Sequence, residues 1–284
     1  MGPSLVPRSW RASHWLSTVS PTSGKTGSSS ASNAVSLEVT SEGIVIRRSD
    51  SQESDRSLVI LTRDFGKTYL VARGARKSGS RLAGASEPLT QARYTWAKGK
   101  VRQFVTQCQP LTSFRRLRED YERLSVGLAI AEIIDQTVPA DSPCEDIYDL
   151  LVRALEALGE SNNPAVVLAW IHVGLLVWEG EWPDWTACAV SGERITSDPA
   201  DVSATAGGAL QHEFAGHYKD AFAVPWAALV GMKRLAECEM PPPQMKEAQA
   251  AARCLAVLAQ SRLDRPLPAH AAVFSLWDLQ IGSK

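Results

Sequence analysis

Sixteen Lys and Arg side chains fall between Ser36 and Arg118, against seven Asp and Glu. They are the residues of this chain best suited to chemistry, and that chemistry is grip rather than bond breaking. Guanidinium and ammonium groups pair with phosphate oxygens and displace counterions from a polyanion. The cations come in groups. Arg47 and Arg48 end one apolar run, and Arg63 and Lys67 bracket Asp64-Phe65-Gly66. Arg73, Arg76, Lys77 and Arg81 run through a Gly/Ser-rich segment, where glycine lets a backbone approach a ligand closely. Lys98, Lys100 and Arg102 surround a turn at Lys98-Gly99, and Arg115 and Arg116 follow, with Arg118 beside them. From Glu119 to the end, 11 cations face 24 acids, and the first 35 residues add three cations. The net charge of −1 therefore conceals a basic front and an acidic back. A single surface charge usually only solvates. A local excess of nine implies a nucleic-acid partner.

Other chemistries fit less well. Cys188, His212 and His217 could together hold a metal, as the core of a metalloenzyme or a structural zinc site. Paired zinc ligands after Cys188 would fall on Ser191, Gln211 and Phe214, so the insert is expected to be a metal-free remnant held by Phe214 and Tyr218. Ser23-Gly24-Lys25-Thr26 has the end of a P-loop, but Val19 stands where its first glycine belongs. No nucleophile elbow, carboxylate pair or Cys/His arrangement of catalytic spacing is found, so no enzyme and no cofactor is expected. Five widely spaced cysteines make no disulfide framework and suit a reducing compartment. No apolar run reaches the roughly 18 residues that span a bilayer, so no membrane partner is expected.

The elements that position the cations are short strands. Val39–Arg48, Arg56–Arg63, Thr68–Ala75, Pro88–Ala97 and Lys100–Gln109 are apolar runs separated by turn signals. Five short strands with tight turns fit a closed oligonucleotide/oligosaccharide-binding (OB) barrel over residues 36–112. Its aromatics, Phe65, Tyr69, Tyr94, Trp96 and Phe104, divide between core and base stacking, with one or two expected at the surface. A helical domain follows over 113–284. Ser113 serves as N-cap to a helix through Gln136, Ser142-Pro143 and Asn163-Pro164 open two more, and Gly159 and Gly180 close these. His172 lies on an apolar helix as a hydrogen-bonded core histidine. Residues 186–220 form an irregular insert. Residues 1–35 are rich in Ser and lack acids, which predicts disorder. That composition is also a transit peptide's, though a misplaced start codon or a tolerated bacterial extension explains it more simply.

Four segments together carry a resemblance: EGIVIRR at 42–48, ESDRSLVILTRDFGKTYLVARGARKSGSRLAG at 53–84, EPLTQARYTWAKGK at 87–100 and LREDYERLSVGLAIAEIID at 117–135. In these the chain resembles the RecO family of bacterial recombination mediators. The resemblance implies an α+β chain: an N-terminal OB fold, then a helical domain with a zinc-finger-like insert. It implies binding of single- and double-stranded DNA, annealing of complementary strands, and loading of RecA onto strands coated by single-stranded DNA-binding protein. RecR and the acidic tail of the coating protein are the implied partners, and the cytoplasm, at the nucleoid, the implied location. An apolar groove rimmed by Lys233, Arg234 or Arg253 is the candidate seat of that tail. Many members carry four cysteines in the insert; this chain keeps Cys188 and Gly207-Gly208. The alternative to a mediator is a general OB-fold binder of single-stranded DNA or RNA.

Overall fold

A computed structural model describes residues 38–97, 102–263 and 265–282. The expected features of residues 1–35 and of the Lys98-Gly99 turn lie outside this range. The first unit is a closed barrel of β1 (Glu38–Ser51), β2 (Asp55–Thr62), β3 (Gly66–Ala72), β4 (Gln91–Ala97) and β5 (Phe104–Thr112), with a single turn of helix, α1 (Leu82–Ala85), between β3 and β4. The strand order is β1-β2-β3-β5-β4, and β1 closes the ring by pairing with both β2 and β4. The one parallel junction is slight: Val71 faces Phe104, and Val71 N–H donates to Gln103 O at 2.9 Å.

Strands β1 and β2 read as nearly continuous apolar runs because both of their faces are buried. Side chains alternate between faces along a strand. Val45, Leu58 and Ile60 point into the barrel with Leu70, Tyr94, Trp96 and Val105. Ile44, Ile46, Val59 and Leu61 point outward into a second core, shared with the helices. Each such aliphatic contributes about 1.5–3 kcal/mol by leaving water. The outward set therefore fastens the barrel to the helical body.

That body contains α2 (Arg115–Arg118), α3 (Tyr121–Thr137), α4 (Glu145–Glu160), α5 (Pro164–Glu179), α7 (Trp226–Leu235), α8 (Ala248–Leu263) and α9 (Pro268–Gly282). Every residue of α5 from Pro164 to Leu176 is buried, since α3, α4, α7 and α8 surround it. Asn163 precedes it and Gly180, at φ +77°, ends it. The first helix is not the continuous one expected from Ser113. Phe114 is the residue before α2, in the left-handed region at φ +46°, with its ring buried. The chain then breaks after Arg118, and Asp120 caps α3 by accepting from Arg123 N–H at 2.8 Å. Asp120 has extended dihedrals, which its carboxylate stabilises as a helix cap.

The insert has regular structure: β6 (Ala200–Ser203), β7 (Gly208–Leu210) and β8 (Phe222–Val224) form a sheet of order β7-β6-β8, with α6 (His212–Ala215) after β7. Ala200, Val202, Ala209, Leu210 and Val224 belong to the main core, and Phe214 and Tyr218 pack against it half-buried. The periodicity is missed because strands of three or four residues are too short to show one.

Candidate nucleic-acid interface

The outer face of β1, β2 and β3 holds two cross-strand rows. Arg47, Val59 and Tyr69 are paired partners in one, and Ser49, Ser57 and Val71 in the next, which continues to Phe104 on β5. Small serines between longer neighbours leave a groove of about 360 Å³. Arg47 and Tyr69 line it on one side, Arg102 and Gln103 on another, and Ser49, Ser51 and Ser57 form its floor. The β-bulge between Val45 and Arg47 sets the register that turns Arg47 outward.

The segment after β3 folds back onto the β1–β2 turn. Arg76 N–H donates to Ser54 O at 3.0 Å, and its guanidinium reaches Glu53 O at 3.3 Å. Gly74, at φ +63°, donates its N–H to Asp55 at 2.8 Å. The Arg73 guanidinium lies over the Phe104 ring, 3.7 Å from the centroid, which orders the side chain without neutralising it. Arg73, Lys77, Arg81 and Arg102 are exposed and have no carboxylate partner among the described residues.

Other expected contacts are committed elsewhere. Lys67 is buried; its Nζ donates to Asp135 O at 2.5 Å and stands 3.5 Å from that residue's carboxylate. It cannot face phosphate in this arrangement, because α3 covers it. Arg47 shares Asp135, donating through Nε at 2.7 Å, yet keeps over half its side chain exposed at the groove. Arg63 pairs with Glu145 at 2.9 Å and Asp149 at 3.0 Å, bonds that raise its pKa. Arg48 pairs with Glu87 at 2.5 Å, and Arg76 lies 3.5 Å from Asp50. Arg115 pairs with Glu119 and Arg116 with Glu160, and neither lines the groove. Arg118 donates to Ser113 O, Pro88 O and Thr90 Oγ1. Lys98 and Lys100 lie outside the described residues.

The aromatics sort by face. Tyr94 and Trp96 fill the barrel, with Phe65 edge-on to Trp96 at 5.6 Å. Phe104 sits half-buried beneath Arg73, while Tyr69 is 49% exposed. Sequence reasoning missed Asp135, the acid that removes Lys67 and restrains Arg47. Its signal was an Asp within the apolar run IAEIID.

The metal candidates do not converge: the described residues hold no group of three or more His, Cys, Asp or Glu able to ligate an ion. Ser191 Oγ donates to Gln211 Oε1 at 2.8 Å, and Gln211 N–H points to Cys188 Sγ at 3.4 Å. His212 Nδ1 is 3.0 Å from Asp201, and His217 packs on Phe214. Burial pushes the Cys188 pKa up, but N–H and O–H donors of Ser191, Gln211 and Val190 outweigh it and lower the pKa overall. One thiol with a hydroxyl, an amide and a phenyl ring is not a zinc donor set.

In the helical body, an apolar groove of about 720 Å³ lies between α7 and the Pro242–Lys246 segment, with Arg234 and Lys246 at its rim. Arg253 is not part of it, being bonded to Asp278 and the Phe274 carbonyl. No described helix is long and apolar enough to cross a membrane.

Two family models match the chain: "Recombination protein O N terminal" over residues 36–114 and "Recombination protein O C terminal" over 118–268. A DNA repair protein RecO of Roseiflexus sp. is 38% identical over 175 residues, 62% of each chain. One from Moorella thermoacetica is 36% identical over 177 residues, 62% of this chain and 66% of its own. One from Gloeobacter violaceus is 31% identical over 202 residues, 70% of this chain and 77% of its own. The matches to the first two thus span less than two thirds of those relatives.

Proposed function

The chain belongs to the RecO family, and from that premise we propose that it is a DNA repair and recombination mediator. It binds single- and double-stranded DNA on the barrel, holds complementary strands together until they pair, and with RecR helps place RecA on coated single strands. The observation that carries this reading is the set of exposed cations without acid partners, Arg73, Lys77, Arg81 and Arg102, on a barrel whose other described cations are paired with acids. Annealing needs only that two polyanions share one positive surface while bases search for partners. The acidic helical side repels DNA and confines it to the barrel. The groove rimmed by Arg234 and Lys246 suits an acidic peptide with an apolar end, which fits the tail of the single-stranded DNA-binding protein. No bond chemistry is assigned, and the site of action is the chromosome, in the cytoplasm.

The test is binding of a fluorescent oligonucleotide by the full chain and by a triple charge reversal, Arg73→Glu, Lys77→Glu and Arg81→Glu. A loss of at least about a hundredfold is expected, because each reversal exchanges an attraction for a repulsion. Unchanged affinity overturns the reading. Joining of complementary strands already covered by the coating protein then separates a mediator from a general single-strand binder, which joins only bare strands.

A further inference from the structure

We propose that the groove on the outer face of β1–β3 is a seat for one unpaired nucleobase, with the Tyr69 ring as its stacking platform. This rests on the DNA-binding reading above and adds to it a preference for single strands. Three observations converge. Among the described residues Tyr69 is the one large aromatic of the barrel left about half in water, and its ring lines the groove. Its neighbours on the same face are shorter: Val59, buried at the margin of the core shared with the helices, lies beside it, and Ser57 and Val71 stand in the next row, so the ring borders the groove on that side. The groove's volume, about 360 Å³, accommodates one nucleotide and not a base pair with both backbones.

The charge around it matches a strand threading past. Arg47 lies two strands from Tyr69 in the same row, about 10 Å by ordinary strand spacing, and Arg102 lines the groove as well. A base stacked on Tyr69 has cations in reach of its flanking phosphates, while Ser49 and Ser57 offer hydroxyls that both donate and accept. Such a floor reads no particular base, so stacking selects an unpaired base without selecting its identity. A duplex keeps its bases stacked on one another and has none to insert. Pairing therefore competes with Tyr69 for the base, and completed duplex is held by charge alone.

The experiment compares full-length wild type with Tyr69→Ala and Tyr69→Phe, using a fluorescent oligo-dT and a duplex of equal length. Stacking of one base is worth roughly a tenfold change in affinity. Tyr69→Ala is expected to weaken oligo-dT binding about tenfold, leave duplex binding unchanged, and keep the salt dependence of wild type, since no charge is removed. Tyr69→Phe is expected to bind like wild type, because the ring remains. Wild-type affinity of Tyr69→Ala for oligo-dT overturns the proposal, as does equal loss in the Ala and Phe variants or equal loss on duplex. The charge-reversed triple variant separates the two failures. If it loses DNA while Tyr69→Ala does not, only the stacking seat is wrong; if neither loses DNA, the DNA-binding reading falls too.

Discussion

Asp135 decides what two basic residues can do. Its carboxylate is nearly buried between Lys67, which is buried with it, and Arg47, which reaches it from the groove. Removing one partner of a buried ion pair leaves the other charged, desolvated and unpaired, which typically costs about 3–5 kcal/mol. Asp135→Ala is therefore expected to lower the unfolding free energy by that order in urea titration. Exposed pairs are worth about 0–1 kcal/mol, so Arg116→Ala, which cuts the bond to Glu160, should change the urea midpoint little. Equal effects in both variants would show that the Asp135 cluster is not a structural fastening. The cations themselves were legible in the sequence, but their acids were not. Glu87, Asp135 and Glu145 lie 39, 88 and 82 residues from the arginines they bind, a separation that no local pattern reports.

At the scale of elements, α9 is docked by a hydrogen-bonded chain running through three helices. Glu132 on α3 accepts from Ala269 N–H and His270 N–H at the start of α9 and lies 2.8 Å from His270 Nδ1. His270 Nε2 in turn meets His172 Nε2 of α5 at 2.9 Å. Burial, then His270 and then Arg262 of α8 hold the His172 pKa well below 6.5, and Arg262 itself is paired with Glu179. His172 is thus neutral in the fold and takes up a proton more readily when the chain unfolds. Below the unfolded value of about 6.5 the unfolded chain binds more protons, so this contribution is complete above that pH and declines as pH falls, by at most about 1.4 kcal/mol per pH unit. Melting temperature should drop between pH 6.5 and 5 in wild type. It should drop less in His172→Gln, whose amide can still bond His270; parallel curves would remove His172 as the cause. His172 as a bonded core histidine was readable from its apolar helix, whereas its partner, 98 residues away, was not. The β2–β3 turn teaches the same lesson. Gly66 has φ +69°, and a Cβ there would lie 1.8 Å from Ser142 O. Gly66→Ala should cost at least about 2 kcal/mol in urea unfolding, by backbone strain and by forcing the turn off the helical body. The tight turn was visible in Asp-Phe-Gly-Lys, but not the loop pressed against it.

For the molecule as a whole, two opposed charge fields are joined through a shared apolar seam, Ile44, Ile46, Val59 and Leu61 against the helices. The order barrel-then-helices follows from period-2 runs giving way to period-3.6 runs, which is why it could be read without coordinates. The working charge could not, because a count of sixteen cations ignores how many the fold spends on its own acids. Salt titration measures that difference directly. Each phosphate neutralised on a single strand adds about −0.7 to the slope of log affinity against log salt concentration. If only the four exposed cations without acid partners engage DNA, with or without the groove-facing Arg47, four or five contacts give a slope of roughly −3 to −3.5 with oligo-dT. If DNA instead pulls Arg48, Arg63 and Arg76 from their carboxylates, and Arg115 and Arg116 join them, five more contacts bring the slope to roughly −6 to −7. Anisotropy titrations between about 50 and 400 mM salt distinguish the two. The shallower value is expected, because drawing Arg63 off Glu145 and Asp149 strands two acids beside an incoming polyanion. A flat titration would mean that the barrel does not hold DNA by charge at all.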